Sequence, residues 1–484
     1  MVGLTSALLL RAHGVTTILV EKRSSTSPQP KARRLHMRSM EVFRELGLSG
    51  LVQNLARDLA SHDHMAVGST LAEAKQLPLW QPKRSGQSEN EPSPEMPCLL
   101  SQDLLEPLLR QAAVEAGVDV RFDTELVDLC QSEKGVDARL LARSTGDRFG
   151  LTAQYVVAAD GARSPIRERL GITRSTNGFV GRPNVSVYFC ADLAEVVRGR
   201  EFNLCQITNS DSPGALASVD GRRRWVFMAS GAETDRDWPA LLRQVLGVPV
   251  PDLEVISVLG WQSEMRVADA YRAGRVFLAG DAAHVMPPFA ANGANTGIAD
   301  AHNLAWKLAA VLHGQASEAL LDSYDTERRP AGWFAADQSA RRTRQVQERS
   351  APDPTLAHPY VLAVGGFQYT AGALILDRNG DPEPTTRFDP RGRVGTRVPH
   401  RWLNFEHTRS TIDLAGRGWA ILTRSQSPSF SLQGSDLCVD IQQVDDIDFL
   451  DHEELLLLRP DDIVAWRGTS LDDALNALRT ILKP

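Results

Sequence analysis

The chain has 484 residues, of which 42% are hydrophobic and 23% are charged, and its formal net charge is −7. Roughly two to four domains fit this length, and the apolar fraction excludes a disordered chain, since enough surface can be buried to offset the entropy of ordering. The mildly acidic balance argues against nucleic acid as the main partner. Five scattered cysteines without a CxxC pair favour a reducing, cytoplasmic setting. No apolar run reaches the ~18–20 residues that a membrane span needs.

The first part of the chain alternates amphipathic helices with short apolar strands. The pattern predicts a helix over Leu4–Ala12 and a strand over Val15–Glu21 that ends on an acid. The same reading predicts further helices and strands over Arg38–Leu46, Ser101–Ala116, Val118–Phe122, Tyr155–Ala159, Val276–Ala279 and Asp300–Leu312. This alternation is typical of a doubly wound α/β sheet.

A different pattern follows residue 172. Val185–Cys190, Leu216–Val219 and Trp225–Ala229 are predicted as short strands, and Asp220-Gly221 is a hairpin signal between the last two. We therefore expect an antiparallel sheet inserted into the first domain. Residues 80–97, rich in Pro, Ser, Gln and Glu, are predicted to form a surface loop. A separate region of short strands and helices begins near residue 385.

The opening helix and strand match half of a dinucleotide-binding unit. In such units a glycine-rich turn leads into a helix whose N-terminus faces a pyrophosphate, and an acid ends the next strand. Gly3 occupies the place of the third glycine and Glu21 that of the acid that holds the ribose. An ordinary helix–strand pair is the alternative, because the first strand and the first two glycines are absent from the sequence.

Two later strands also end in polar turns. The first leads into Asp160-Gly161 and Arg163, and the second leads into Gly280-Asp281. Simple turn formation is the alternative for the first, and a catalytic or zinc-binding His284 is the alternative considered for the second. After the second strand, Pro- and Gly-rich residues precede a helix whose free N–H groups could stabilise an anion. His284 has no second ligand at metal spacing, so no metal site is predicted.

In this order, the motifs resemble the FAD-dependent aromatic hydroxylases, the class A flavoprotein monooxygenases, and within them the phenol and polyketide hydroxylase branch. The resemblance implies an α/β fold with three parts. These are a Rossmann-like FAD-binding domain, an inserted antiparallel-sheet substrate domain and a thioredoxin-like C-terminal domain. The expected ranges are 1–65, 98–172 and 268–370 for the first, 66–97 and 173–267 for the second, and 385–484 for the third. The last range holds only Cys438, so no dithiol chemistry is expected there.

The resemblance also implies roles for individual residues. Glu21 would bind the adenosine ribose, Arg38 and Gln102 would contact FAD, and Asp281 would bind the ribityl chain. Asp160 and Arg163 belong to a segment used for FAD and NAD(P)H. Pro287-Pro288 would lie beside the isoalloxazine, and the backbone over 292–297 would face its N1–C2=O edge. The expected cofactor-binding residues are Gly3, Glu21, Arg38, Gln102, Asp160, Arg163, Gly280, Asp281, Pro288, Asn292, Gly293, Asn295 and Thr296.

The implied activity is hydroxylation of a phenolic or polycyclic polyketide substrate. NADPH or NADH would reduce FAD, O₂ would give a flavin C4a-hydroperoxide, and oxygen would pass to the ring. Tyr369 is a candidate base, with a packed tyrosine as the alternative. A homodimer is expected. The alternative functions are another FAD oxidoreductase, such as an epoxidase or oxidase, and an inactive remnant with weak FAD binding.

Two departures from the family pattern stand out. Ala290-Ala291 occupy positions where relatives usually have glycines, which is expected to stiffen or reshape the flavin loop. Relatives also begin with a strand and a G-x-G turn before the segment that starts here at Val2. A misassigned start or a truncation is therefore expected, with weak FAD binding and poor stability if the truncation is real.

Overall fold

The structure is a computed structural model that describes residues 1–78, 91–209, 211, 213–231, 233–348, 350–351, 353–376, 388–425, 439–444 and 447–483. Most of the expected surface loop over 80–97, and Cys438, lie outside the described residues. The α-helices in the described part are α1 (Val2–Ala12), α2 (Met37–Glu45), α3 (Ser49–Ala56), α4 (Gln102–Glu115), α5 (Pro165–Arg169), α6 (Ala194–Val197), α7 (Trp238–Leu246), α8 (Asn292–Leu312), α9 (Asp322–Glu348), α10 (Pro359–Ala363) and α11 (Leu471–Leu482). Short 3-10 turns span Arg57–Leu59, Gly280–Ala282, Phe289–Ala291, Glu318–Leu321 and Thr411–Asp413.

Parallel strand pairs form the centre of the first domain. Ile18–Val20 pairs with Asp119–Arg121, and Val156–Ala158 pairs with Val276–Leu278. The second pair gains Arg272–Ala273 as an antiparallel neighbour. Among the described residues these two sheets are not hydrogen-bonded to each other. The predicted strand Val15–Glu21 is thus shorter than expected, because only its three central apolar residues pair.

Helices α1, α4 and α8 pack with these strands in one buried apolar core. Leu9 in α1, Leu105 in α4 and Ile298 in α8 are fully buried there. Helix α8 begins at Asn292, eight residues before the predicted start at Asp300. The prediction was wrong because Gly293 and Gly297 suggested a loop, whereas Gly297 sits in the helix where α1 approaches closely.

The inserted domain is built on a seven-stranded, mostly antiparallel sheet. Its strands, in spatial order, are Glu254–Trp261, Asn184–Cys190, Arg224–Ser230, Gly214–Ser218, Leu204–Ile207, Met65–Gly68 and Lys75–Gln76. The predicted hairpin is present. Gly221 has a φ of +74°, and Asp220 accepts hydrogen bonds from the backbone of the next strand, including Arg224 N–H at 2.9 Å. Helix α7 covers one face through Leu242 and Val245.

Smaller sheets complete the described part. Thr124–Ser132, Gly135–Ala142 and Arg148–Ala153 form an antiparallel meander. The other pairings join Arg174–Phe179, Glu264–Ala268 and His284–Val285 in one sheet and Arg34–Leu35 with Cys98–Leu99 in another. The C-terminal sheet is mixed, with the order Val439–Gln443, Trp419–Thr423, Leu455–Leu458 and Val464–Gly468, and α11 packs against it.

These layers agree with the predicted architecture: an α/β domain with parallel strand pairs, an inserted antiparallel sheet and a C-terminal α/β unit. The residue ranges assigned to the three domains stay a prediction. Over the described ranges, no helix combines the length and apolar character needed to cross a bilayer.

Candidate functional site: the cleft at the start of α8

Three helix N-termini meet beyond the end of the strand Val276–Leu278. A Cβ added to Gly297 would lie 2.6 Å from Val2, so the first turns of α1 and α8 are in close contact. The Met1 ammonium pairs with Glu106 in the first turns of α4 at 2.6 Å. Helix N-termini present unpaired N–H groups and partial positive charge. Their arrangement here suits an anionic group such as a pyrophosphate.

Asp281 projects into this cleft from a buried segment. Gly280, Ala282 and Ala283 around it are buried, whereas Asp281 itself is exposed. Desolvation by the surrounding protein raises the pKa of this carboxyl, and the opposing effects of His284, Lys31 and the N-terminal ammonium are smaller. A solvent-accessible carboxylate in such surroundings can accept hydrogen bonds from the hydroxyls of a ligand.

The loop before α8 has an unusual backbone. Ala290 and Ala291 both have a φ of +57°, in the left-handed region that residues with a Cβ rarely adopt. Pro288, just before them, is exposed. Strained backbone of this kind is concentrated at ligand sites, where the surrounding structure enforces it. The expectation that the two alanines reshape or stiffen this loop gains its physical basis here.

The polar side chains at the start of α8 are used within the protein. Asn292 donates to Ser339 Oγ at 3.0 Å, and Asn295 donates to Ala291 O at 2.7 Å. The Thr296 carbonyl accepts from Arg328 at 3.2 Å. Any contact of this helix start with a cofactor is therefore expected from its backbone and not from Asn295. The Oδ1 atom of Asn292 is buried without a partner in the described structure.

Gly3, Glu21 and Gln102 belong to three elements: the first turn of α1, the residue after the strand Ile18–Val20, and the start of α4. A Cβ on Gly3 would lie 3.5 Å from Ala159, so the helix passes close to a strand end here. The Glu21 carboxylate accepts from Arg23 N–H at 2.9 Å and lies 3.6 Å from Arg23 Nη1. Gln102 donates to Glu106 at 2.8 Å. Their predicted FAD contacts stay predictions.

The Asp160 motif forms a self-contained turn. The Asp160 carboxylate accepts from Ser164 Oγ at 2.6 Å and from Ile166 N–H at 3.1 Å, which holds the start of α5. Asp160 and Arg163 are both exposed. A role of this turn toward FAD or NAD(P)H remains a prediction.

The described contacts of Arg38 lie within the protein, and its expected contact with FAD stays a prediction. Its guanidinium donates to Glu41 and to Asp462, each at 2.9 Å, and to the Asp461 carbonyl at 2.7 Å. It also lies 3.2 Å from His302 Nδ1. Arg38 thus ties α2 and α8 to the C-terminal domain, because the buried carboxylates there need a cation.

The environment of Tyr369 does not suit a general base. Its hydroxyl accepts from Arg328 at 2.8 Å inside the protein, and the residue is 6% exposed. Burial raises the pKa of the phenol. The ring packs with the C-terminal core, so the alternative of a packed tyrosine describes the position better.

Two residues beside the cleft were not singled out from the sequence. The Arg33 guanidinium donates to the carbonyl and side chain of Asn203 at 3.0 and 2.7 Å, while its Nη1 is buried without a partner. Burial lowers the pKa of Arg33 to about 10, and no carboxylate pairs with it among the described residues. His36 binds the loop before α8. Neither position belongs to a motif, so the sequence carried no signal for them.

One face of the seven-stranded sheet lies toward this cleft. The face opposite α7 carries an apolar cluster of Tyr188, Val219 and Val226, with Met228 packed against it. Arg224, on the same face, pairs with Asp103 in the first turn of α4 at 2.7 Å. The sheet and the cleft therefore share a boundary, where an apolar ligand could lie.

Comparison with known proteins decides the family. Residues 1–339 match the family described as FAD binding domain, and residues 391–484 match the aromatic-ring hydroxylase C-terminal domain. The chain belongs to the FAD-dependent aromatic-ring hydroxylases. A tetracenomycin A2 monooxygenase-dioxygenase from Streptomyces glaucescens is 36% identical over 539 residues, covering 100% of this chain and 94% of the relative. An aklavinone 12-hydroxylase, DnrF, from Streptomyces peucetius is 35% identical, covering 87% and 88%.

Solved structures agree with this assignment. The ternary complex of aklavinone-11 hydroxylase with FAD and aklavinone superposes with a TM-score of 0.84 at 29% identity, covering 99% of this chain and 97% of that chain. This hydroxylase is accordingly an FAD-dependent aromatic monooxygenase. The cleft fits FAD, since it combines helix N-termini, the exposed Asp281 and polar atoms without protein partners, among them the buried Ser101 hydroxyl at the start of α4.

Proposed function

We propose that this hydroxylase inserts one oxygen atom into an aromatic ring of a phenolic or polycyclic polyketide substrate, with NADPH or NADH as reductant. The balance is ArH + NAD(P)H + H⁺ + O₂ giving ArOH + NAD(P)⁺ + H₂O. The observation that carries the proposal is the strained loop before α8, which follows the exposed Asp281 in the chain. FAD, when bound, supplies the redox chemistry, while the protein supplies orientation and a dry site.

Different residues along the cleft would bind different parts of the cofactor. Asp281 accepts hydrogen bonds from the hydroxyls of the cofactor chain, and Glu21 holds the ribose. The first turn of α8 places its N–H groups and positive dipole end toward the flavin, which favours negative charge there. Arg33 fits an anionic group, because its desolvated guanidinium has a nitrogen without a partner.

The substrate is proposed to lie against the face that carries Tyr188, Val226 and Met228. Apolar and aromatic walls with few polar groups are typical of sites for flat hydrophobic ligands. Two relatives are named for their action on tetracenomycin A2 and on aklavinone. A ring held between this face and the loop would have its edge near the flavin.

The test is turnover under ¹⁸O₂. The FAD-loaded protein is supplied with NADPH or NADH and a panel of phenols and tetracyclic polyketides, and products are weighed by mass spectrometry. The proposal expects substrate-stimulated consumption of reductant and a product that carries one ¹⁸O atom. Reductant consumption with peroxide alone, or an epoxide or dehydrogenated product, would favour the alternative FAD oxidoreductases. Protein that fails to bind FAD would favour the inactive remnant.

A homodimer is part of the same proposal. Sedimentation equilibrium at micromolar concentration is expected to give twice the chain mass of 53.0 kDa. A single-chain mass over that range would contradict it.

A further inference from the structure

The strained turn at Ala290 and Ala291 is held by side chains from another part of the chain. His36 Nε2 lies 2.8 Å from the Ala290 carbonyl, and Asn295 Nδ2 lies 2.7 Å from the Ala291 carbonyl. A carbonyl only accepts, so the imidazole donates from Nε2. Each of the two left-handed residues therefore has its carbonyl oriented by one buried side-chain donor.

The two donors are themselves fixed to each other. The backbone N–H of His36 donates to Asn295 Oδ1 at 2.8 Å, and Ser39 Oγ donates to the same atom at 2.6 Å. Asn295 Nδ2 also reaches the Arg34 carbonyl at 3.0 Å. His36 is 5% exposed and Asn295 is 7% exposed. The strand Arg34–Leu35 and the start of α2 thus form a rigid support behind the loop.

We infer that His36 is a positioning residue, which acts with Asn295 to lock the left-handed Ala290–Ala291 turn in the geometry that receives FAD. This inference rests on the proposed placement of FAD at this loop. The turn cannot rely on glycine, because both positions carry a Cβ that disfavours the left-handed region. Neighbouring side chains must therefore hold it, and the bonds to the two loop carbonyls do so.

The protonation state of His36 is compatible with this role. Burial lowers the pKa of the imidazole to about 4, so the ring is neutral in the working range of the protein. A neutral ring has one N–H, and the Ala290 carbonyl takes it. The contact between His36 and the Ala290 carbonyl is therefore a hydrogen bond between neutral groups and not an ion pair.

The test compares four variants with the wild type. His36→Leu removes the donor, His36→Gln retains a side-chain N–H, Ala290→Gly removes the steric penalty, and the double variant combines His36→Leu with Ala290→Gly. The control is His400→Leu, since His400 is equally buried in the C-terminal domain and binds Ser410 Oγ through one ring nitrogen at 2.7 Å. The measurements are the dissociation constant for FAD, the visible spectrum of bound FAD, and Tm with and without FAD.

His36→Leu is expected to weaken FAD binding by about tenfold or more, because each left-handed alanine costs the equivalent of roughly one order of magnitude in an equilibrium constant. His36→Gln and the double variant should recover FAD affinity and the spectrum to within about threefold of the wild type. His400→Leu should leave both unchanged, and Ala290→Gly alone is the reference against which the double variant is compared. Rescue by glycine is the decisive readout, since a merely structural histidine would not be rescued at a distant backbone position.

Several outcomes would overturn the inference. They are an unchanged FAD affinity in His36→Leu, or a loss that Ala290→Gly does not restore. If His36→Leu does not fold, recovery of folded protein in the double variant supports the inference and continued misfolding contradicts it. If Tm falls and is rescued while FAD affinity never changes, the lock exists but FAD does not contact this loop. That result would count against the placement of FAD as well as against the role of His36.

Discussion

The two ends of helix α8 differ in how their polar and charged groups are paired. At its start, Asn292 has a buried oxygen without a partner, the preceding alanines are left-handed, and Asp281 is exposed nearby. Further along, Asn303 and Lys307 enter a buried network in which every charge has a partner. Buried polar atoms normally find partners, so the Asn292 oxygen supports the ligand site proposed at this end of the helix.

The second region joins α8 and α9 to the C-terminal domain. Arg459 donates two hydrogen bonds of 2.9 Å to Glu327 and also forms an ion pair with Asp461. All three residues are buried. Burial alone would raise the pKa of Asp461, but the Arg459 guanidinium holds it well below its usual range. Burial lowers the pKa of Lys307 to about 8 beside the same Glu327. These buried ion pairs join the domains to each other.

The largest expected effect comes from breaking that network. Arg459→Met leaves Glu327 and Asp461 without their shared partner, and removal of one member of a buried pair costs about 3–5 kcal/mol of unfolding free energy. Chemical denaturation measures the loss. Arg391→Met is the matched control, because the exposed Arg391–Asp389 pair should change stability by no more than about 1 kcal/mol. Equal losses of unfolding free energy in both variants would show that the buried network stabilises the fold no more than the Arg391–Asp389 pair does.

Acid is expected to destabilise the protein through its buried histidines. Burial lowers the pKa of His36 and of His400 to about 4, against 6.5 for the exposed ring. Between these values the unfolded chain binds more protons than the folded one, so stability is complete above about pH 6.5 and falls as pH drops toward 4. The expected loss is on the order of 1 kcal/mol per histidine and pH unit.

Denaturation midpoints measured at half-unit pH steps give the slope of stability against pH. His400→Gln and His36→Gln should each flatten it between pH 6.5 and 4, by comparable amounts. A slope that neither substitution changes would show that other groups carry the acid response.

Near the start of α8, Asp281→Asn should change FAD affinity without lowering the stability of the FAD-free protein. Loss of a charged hydrogen-bond acceptor is expected to weaken FAD binding about tenfold to hundredfold, equivalent to about 1.5–3 kcal/mol. The Tm of the FAD-free protein should stay the same or rise, since desolvation makes the Asp281 charge unfavourable when no ligand is present. Asp322→Asn, at an exposed carboxylate in α9, is the control. A fall in Tm without a change in affinity would place Asp281 with the structural region.

The smallest expected effect concerns Arg33. Arg33→Gln keeps a donor for Asn203 but removes the cation, and should weaken FAD binding by about threefold to tenfold, equivalent to about 1 kcal/mol. Raising the salt concentration should weaken the wild type more than the variant. An identical salt response in both proteins would exclude Arg33 as an anion contact.

The turns and helix starts around the candidate site could be predicted from sequence because their motifs are local. A strand that ends on Gly280-Asp281 and a helix that follows a Pro- and Gly-rich loop carry their geometry in a few adjacent residues. The fold class followed from the same local patterns. The early start of α8 was missed because the close approach of Val2 to Gly297 is a tertiary contact that a single segment does not show.

What the sequence could not show are contacts between residues far apart in the chain. Asp462, which binds the Arg38 guanidinium, lies 424 positions after it. The Tyr369 hydroxyl is bound by a buried arginine from α9. The left-handed conformation of Ala290 and its support by His36 likewise depend on packing. These partners are set by tertiary structure, which the local sequence does not show.

The most direct test of this account is a crystal structure of the protein with FAD bound. The account predicts the isoalloxazine beside Pro288 and the backbone over 291–295, with the ribityl hydroxyls on Asp281 and the Arg38 guanidinium still on Asp462. FAD bound elsewhere, or an Arg38 side chain turned away from the C-terminal domain to meet the cofactor, would contradict it.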